Sequence, residues 1–237
     1  MLRAILFDMD GVLFDSMPAH AHSWAKVCTE FGMRMSPEDA YRWEGATGFS
    51  TINWLTQRAW GRDTSEEEVQ RIYEAKCREF NKYPEAKKMP GAEETMQKAQ
   101  AMGLGIFIVT GSGQASLLDR LETNYPGYFT FENVVSSRDV KHGKPSPEPY
   151  LKGLEKAGAA LNPDGLPLKP EEAVVVENAP LGVRAARAAG IRTIAVNTGP
   201  LPDSALTDED ATVLLHTMSE LAENFEQVIQ NVLAHNP

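Results

Sequence analysis

Six short apolar runs, β-branched or aromatic-rich and flanked by turn chemistry, constrain this chain more than any other feature. They cover Arg3 to Asp8, Leu104 to Thr110, Asn133 to Ser136, Ala173 to Glu177, Arg192 to Asn197 and, as an edge, Thr212 to His216. Such runs read as strands buried on both faces. Helical patterns separate them at Ala92 to Met102, Gly113 to Thr123, Pro147 to Ala157 and Pro180 to Ala189. Strands alternating with helices predict an α/β fold, a doubly wound parallel sheet covered on both faces. Ser219 to Leu233 reads as a closing amphipathic helix capped by Ser219. Asn162 to Pro170, rich in turn formers, reads as an exposed loop.

The alternation fails between Asp15 and Lys87, where the pattern is helical almost throughout. Ser36-Pro37-Glu38-Asp39 is a helix start: serine caps, proline fits the first turn, and the acids face the positive dipole end. Helical spacing resumes around Ile52, Leu55 and Ala59, and another helix is expected over Ser65 to Phe80. The expected organisation is a core of residues 1–14 and 88–237 with a helical cap, residues 15–87, inserted after the first strand. Trp43, Trp54 and Trp60 are expected in the cap core. Cys28 and Cys77 fit neither a metal-site spacing nor a disulfide framework and are expected as buried free thiols.

Lys plus Arg number 23 against 33 Asp plus Glu, a net charge of −10. That balance argues against a nucleic-acid partner, which needs a basic face. An acidic chain that handles phosphates must instead concentrate positive charge locally. The start of the chain lacks a signal-peptide layout, and no apolar run approaches the roughly twenty residues of a membrane span. A monomer in the reducing cytoplasm, with no membrane partner, is the expectation.

In an open parallel sheet, ligands bind beyond the carboxyl ends of the strands. The first strand ends in Asp8-Met9-Asp10-Gly11, the second in Thr110-Gly111-Ser112 and the fourth in Glu177-Asn178. Lys144 lies in Lys141-His142-Gly143-Lys144-Pro145, after the third strand. Each residue type has a task in phosphoryl transfer. One carboxylate can attack phosphorus, and a second, two residues on, can protonate the leaving group and then activate water. Asp8, the Asp10 carbonyl, Glu177 and Asn178 can supply the oxygen ligands that Mg2+ prefers. Thr110 and the N–H groups of Gly111 and Ser112 can hold phosphoryl oxygens, beside the compact charge of Lys144.

These four clusters, in this order, resemble the motifs of the haloacid dehalogenase-like (HAD) superfamily. The resemblance spans nearly the whole chain. The helical insertion resembles the cap of β-phosphoglucomutase-like phosphatases. It implies a Rossmann-like HAD core, Asp8 as nucleophile and Asp10 as general acid/base. Thr110 and Lys144 would be phosphate ligands, and Asp8, Asp10, Glu177 and Asn178 would hold Mg2+. His20 matches a cap histidine of the mutases and is expected, with Gly111, Ser112 and Glu44, on the substrate side.

Three departures from the mutase pattern stand out. The cap loop reads Trp43-Glu44-Gly45-Ala46-Thr47-Gly48-Phe49, with an acid where mutases have lysine and a glycine where they have arginine. Gly113 replaces a further lysine, and Asn178 stands for an aspartate. A mutase needs cap cations to grip the non-reacting phosphate of a sugar bisphosphate. Glu44 suits instead a substrate that arrives with magnesium, such as pyrophosphate, or a polyhydroxy group that wants an acceptor. The combination resembles the inorganic pyrophosphatase branch, so a hydrolase with pyrophosphate as leading substrate is expected. The enzymatic alternatives are a sugar-phosphate phosphatase or a β-phosphoglucomutase. A receiver-like phospho-signalling module is the non-enzyme alternative, disfavoured because receivers carry the accepting aspartate on a later strand. A dehalogenase would not need Asp10 or Glu177, and no glycine-rich nicotinamide fingerprint follows the first strand.

Overall fold

The computed structural model describes residues 1–113 and 117–235. Six strands form one parallel sheet: β1 (Ala4–Phe7), β2 (Gly105–Val109), β3 (Val134–Val135), β4 (Ala173–Glu177), β5 (Arg192–Val196) and β6 (Val213–Leu215). Their spatial order is β3-β2-β1-β4-β5-β6, so the winding reverses between β1 and β4. All six expected strands are present. Alternate side chains divide between the two faces. Ile5, Phe7, Ile106, Ile108, Val174 and Val176 enter one apolar cluster. Ala4, Leu6, Phe107, Val109 and Val175 enter the other.

Four helices, α1 (Met17–Glu30), α2 (Pro37–Arg42), α3 (Gly48–Trp60) and α4 (Glu66–Phe80), follow β1. Ser36 and Ser65 close capping boxes at the starts of α2 and α4. The four share an apolar cluster of their own around Val27, Cys28, Ile52, Leu55 and Ile72. Trp43, Trp54 and Trp60 pack at its margin, half-buried. Cys28 is buried as expected, whereas Cys77 is only half-buried, and both are free. The two linking strands run side by side: the Asp15 N–H donates to the Lys87 carbonyl (3.0 Å) and the Met89 N–H to the Leu13 carbonyl (2.8 Å).

The remaining helices flank the sheet: α5 (Ala92–Ala101), α6 (Leu117–Asn124), α7 (Glu148–Leu161), α8 (Pro180–Ala188), α9 (Ser204–Thr207), α10 (Met218–Glu223) and α11 (Phe225–Ala234). The expected helix over Gly113 to Thr123 falls partly on residues 114–116, outside the described residues; its described part is α6. Two expectations change. The closing segment is two helices, not one, broken at Asn224, and its cap is Thr217, whose side chain accepts from the Glu220 N–H, rather than Ser219. In the 162–170 loop, Leu168 is buried, because its N–H donates to the Leu154 carbonyl and draws the loop against α7.

Candidate active site

The reversal point between β1 and β4 leaves a crevice at the strand ends, and Asp8 lies in it. Its N–H continues the sheet by donating to the Val176 carbonyl (2.9 Å), so its backbone position is set by the β1–β4 pairing. Lys144 Nζ reaches the same place and donates to Asp8 Oδ1 (2.5 Å), Glu177 Oε1 (2.6 Å) and the Val109 carbonyl (3.0 Å). Glu177 is fully engaged. Oε1 also accepts from the Tyr150 hydroxyl (2.9 Å), while Oε2 accepts from the Asn178 and Ala179 N–H groups (2.9 and 3.1 Å). A side chain at Gly182, on α8, would collide with Glu177 Oε1.

With each oxygen accepting two hydrogen bonds, Glu177 anchors Lys144. Two other buried oxygens have no partner, Asp8 Oδ2 and Asn178 Oδ1. Unpaired buried acceptors are costly, and here they belong to residues expected to bind a cation. Among the described residues, no three His, Cys, Asp or Glu side chains cluster as a metal cage. Mg2+ does not require one, since it uses carboxylate, amide and backbone oxygens together with substrate.

Asp10 is tied to the cap. Its Oδ1 accepts from the Ser16 hydroxyl (2.5 Å) and lies 3.4 Å from His20 Nε2. The other ring nitrogen, His20 Nδ1, is 2.8 Å from Lys76 Nζ. A protonated lysine has no acceptor, so Nδ1 accepts and Nε2 carries the hydrogen that faces Asp10. Both ring nitrogens thus face protein groups, and His20 contacts Asp10. Lys76 is a site residue that the sequence reading did not identify. Its signal was present: Ile72, Lys76 and Glu79 share the buried face of α4, and a lysine there is unusual.

Charge is distributed unevenly. Burial pushes the Asp8 carboxyl up to about 8; Lys144 opposes the rise, and Glu177 and Asp10 add to it. Burial would also raise Asp10, but His20, Arg120 and Ser16 outweigh it and hold that carboxyl well below the usual range. Burial and the neighbouring Lys76 lower His20, while burial lowers Lys76 itself. Glu44 is raised well above the ordinary value, first by burial and then by Asp8 and Asp10.

Glu44 is carried by the cap loop, which meets the core closely. A Cβ at Gly111 would stand 2.8 Å from the Gly45 carbonyl, and Gly45 itself has φ +79°, where other residues are strained. Glu44 Oε2 is buried without a partner. Thr110 is buried, and its hydroxyl accepts from the Ser112 N–H (3.0 Å). Asp10, His20, Glu44, Lys76, Gly111 and Ser112 line one chamber of about 70 Å³. Of the expected site residues, Asp10, Gly111 and Ser112 of the core and Glu44 and His20 of the inserted helices line this chamber, while Asp8, Lys144 and Glu177 are joined to one another at the strand ends behind it.

The family model described as haloacid dehalogenase-like hydrolase matches residues 5–196. The chain belongs to that family. Within it, this HAD hydrolase falls in the β-phosphoglucomutase-like subgroup. A solved Bacteroides vulgatus structure, provisionally named a beta-phosphoglucomutase, is 52% identical with a TM-score of 0.90, covering 99% of this chain and 91% of that one. A phosphorylated carbohydrates phosphatase of Thermotoga maritima is 29% identical over 229 residues, covering 96% of this chain and all of the relative (100%). Glycerol-1-phosphate phosphohydrolase 1 of Saccharomyces cerevisiae is 33% identical over 203 residues, covering 83% of this chain and 75% of the relative. The assignment as a HAD phosphatase removes the receiver-like alternative. Among the described residues, no helix is long and apolar enough to cross a membrane.

Proposed function

We propose that this chain is a magnesium-dependent phosphohydrolase acting through a phosphorylated Asp8, with inorganic pyrophosphate as its substrate. Residues 15–87 are the cap that closes over the core, 1–14 and 88–237. The observation that carries the choice of substrate is Glu44, a cap carboxylate with a buried, unpartnered oxygen in a chamber of only about 70 Å³. That space suits a small inorganic anion better than a hexose phosphate. Burial raises Glu44, and a divalent cation arriving with the phosphate offsets that rise by pairing with its carboxylate.

The oxygens fit Mg2+: Asp8 Oδ2 and Asn178 Oδ1 lack partners, and with the Asp10 carbonyl they would hold it. When bound, the ion supplies the charge that screens the phosphate oxygens from the surrounding carboxylates. Lys144 orients Asp8 through Oδ1 and neutralises part of the crowding. Asp8 attacks one phosphorus, the bridging P–O bond breaks, and orthophosphate leaves. Water then attacks the acyl phosphate while Asp10 takes its proton. Ser16 donating to Oδ1 and His20 Nε2 at 3.4 Å favour the carboxylate form of Asp10, which suits this second step. A phosphate leaving group needs less protonation in the first step than a sugar alkoxide does.

A sugar-phosphate phosphatase is the second reading, favoured by the names of the Thermotoga and yeast relatives. Turnover of pyrophosphate, hexose phosphates and glycerol phosphate, with Mg2+ and with chelator, on wild type and Glu44→Lys, separates the two. Pyrophosphate should be the best substrate, lost with chelator and reduced at least about tenfold by Glu44→Lys. A sugar phosphate turned over faster than pyrophosphate, or pyrophosphate activity that survives Glu44→Lys, overturns the substrate assignment.

A further inference from the structure

Three glycines on core loops are not explained by backbone conformation. Gly111, Gly143 and Gly199 lack the positive φ that favours glycine, unlike Gly45 in the cap. What each has instead is a cap atom close to where a Cβ would stand. A Cβ at Gly111 would lie 2.8 Å from the Gly45 carbonyl oxygen, one at Gly143 2.5 Å from Thr47 Cγ2, and one at Gly199 2.7 Å from Tyr41 Cδ1. The three loops follow β2, β3 and β5, yet all meet one cap segment, residues 41–47. The cap is therefore seated on positions that carry no side chain.

Gly111 lines the chamber and Gly143 the open groove beside it, whereas Gly199 and Tyr41 line neither. Their contact is mechanical, away from the reacting groups. The Gly199 side is stiff. Asn197 Nδ2 donates to the Leu201 carbonyl (2.9 Å) and to Asp203 Oδ1 (2.8 Å), closing the loop on itself. The Thr198 hydroxyl donates to the Gly11 carbonyl (2.7 Å), which ties the loop to the turn after Asp10. The Tyr41 side is backed by the cap's own apolar cluster, against which the half-buried ring packs. Tyr41 lies in the last turn of α2, three residues before Glu44. Where the ring stops, the loop that carries Glu44 stops as well.

We propose that Gly199 is a positioning residue, a stop that receives Tyr41 and sets how far the cap loop descends over the chamber. The consequence is selection by size. Carbon atoms in contact stand about 3.5–4.0 Å apart, so a methyl at Gly199 would lift the ring by about 1 Å. A chamber of about 70 Å³ is small enough for that lift to admit larger phosphate compounds. The same lift would draw Glu44 away from the groups it faces. This role rests on the chamber as the substrate site, whichever phosphate compound binds there.

Two measurements on the full chain test the stop. Hydrogen exchange, which needs no substrate, should show the amides of residues 43–47 exchanging at least about fivefold faster in Gly199→Ala than in wild type. Turnover is then compared on pyrophosphate, glycerol 1-phosphate and p-nitrophenyl phosphate with Mg2+. Gly199→Ala should lower kcat/KM at least about tenfold on whichever of the two smaller compounds the wild type prefers. The relative rate on p-nitrophenyl phosphate should rise at least about fivefold, and Gly199→Val should exaggerate both changes. Melting temperatures should stay within a few degrees, because the added methyl meets the cap ring and not the core. In a Tyr41→Ala background, which removes the ring, adding Gly199→Ala should cost less than about twofold. An equal loss with and without the ring, unchanged exchange over residues 43–47, or an unchanged preference between small and large compounds would each overturn the proposal. Glu44→Lys without effect on any compound would fault the chamber instead, and the exchange comparison still decides the stop.

Discussion

At the strand ends, Glu177 accepts four hydrogen bonds and Lys144 donates three, all within the core. Across the chamber, Lys76 has a single hydrogen-bond partner, His20, supplemented by the Phe80 ring 4.7 Å away, and Glu44 Oε2 has none. The two halves of one site are therefore held differently. Parallel strands and the helix packed on Glu177 build the core half before any ligand arrives. In the other half Lys76 is held by His20 and Phe80 of the same inserted helices, and His20 is what reaches across to Asp10.

The largest effect that separates these halves is expected at Asp8. Asp8→Asn should lower kcat at least about a thousandfold while the melting temperature stays within a few degrees, checked by turnover and calorimetry. Loss of folding with loss of activity would mean that Asp8 is chiefly structural.

A cap variant should act more gently and leave a different signature. His20→Ala should lower kcat about ten- to a hundredfold with little change in KM. His20 Nε2 faces Asp10 at 3.4 Å and so favours its carboxylate form. Removing it raises the Asp10 pKa, and the acidic limb of the rate profile should move to higher pH. An unshifted profile would disconnect the cap from Asp10.

Two glycines compare the rigidity of the two regions. A methyl at Gly182 meets Glu177 Oε1, an atom pinned from several sides, and Gly182→Ala should cost about 1–3 kcal/mol by denaturant titration. A methyl at Gly48 would stand 2.5 Å from the half-buried Tyr73 ring, which borders the open groove and can shift. Gly48→Ala should cost less than Gly182→Ala, and equal costs would erase the distinction.

The smallest effect concerns the cap's own framework. Hydrogen bonds from Arg62 and then from the Ser65 N–H hold Glu68 down to about 2, against an ordinary 4.5. A depressed carboxyl contributes fully above its unfolded value and loses that contribution as pH falls through the folded one. Glu68→Gln should therefore melt slightly below wild type at neutral pH, and the gap should close as pH approaches about 2. A gap that persists in acid would assign the effect to packing instead of charge.

Most of the core site was legible because each residue sits at the end of an apolar run. Asp8, Thr110 and Glu177 follow from where strands stop, and Lys144 from its position after the third. The cap was less legible. Lys76 lies on a helix whose pattern is otherwise an ordinary amphipathic face, and only its meeting with His20 gives it a role. The surroundings of Glu177 were illegible for a related reason. Its residue type and position match a ligand, but the number of donors around it depends on Tyr150, Lys144 and the turn into α8.

The sequence by itself determined the alternation of strands and helices, the helical insertion and the carboxylate pair after β1. Those follow from local periodicity and from the chain's preference for turns at strand ends. Only the tertiary structure decided which oxygens remain free, that His20 faces Asp10, and that Lys76 meets His20. Each is a fact about neighbours distant in sequence, and hydrogen-bond satisfaction and charge are set by such neighbours.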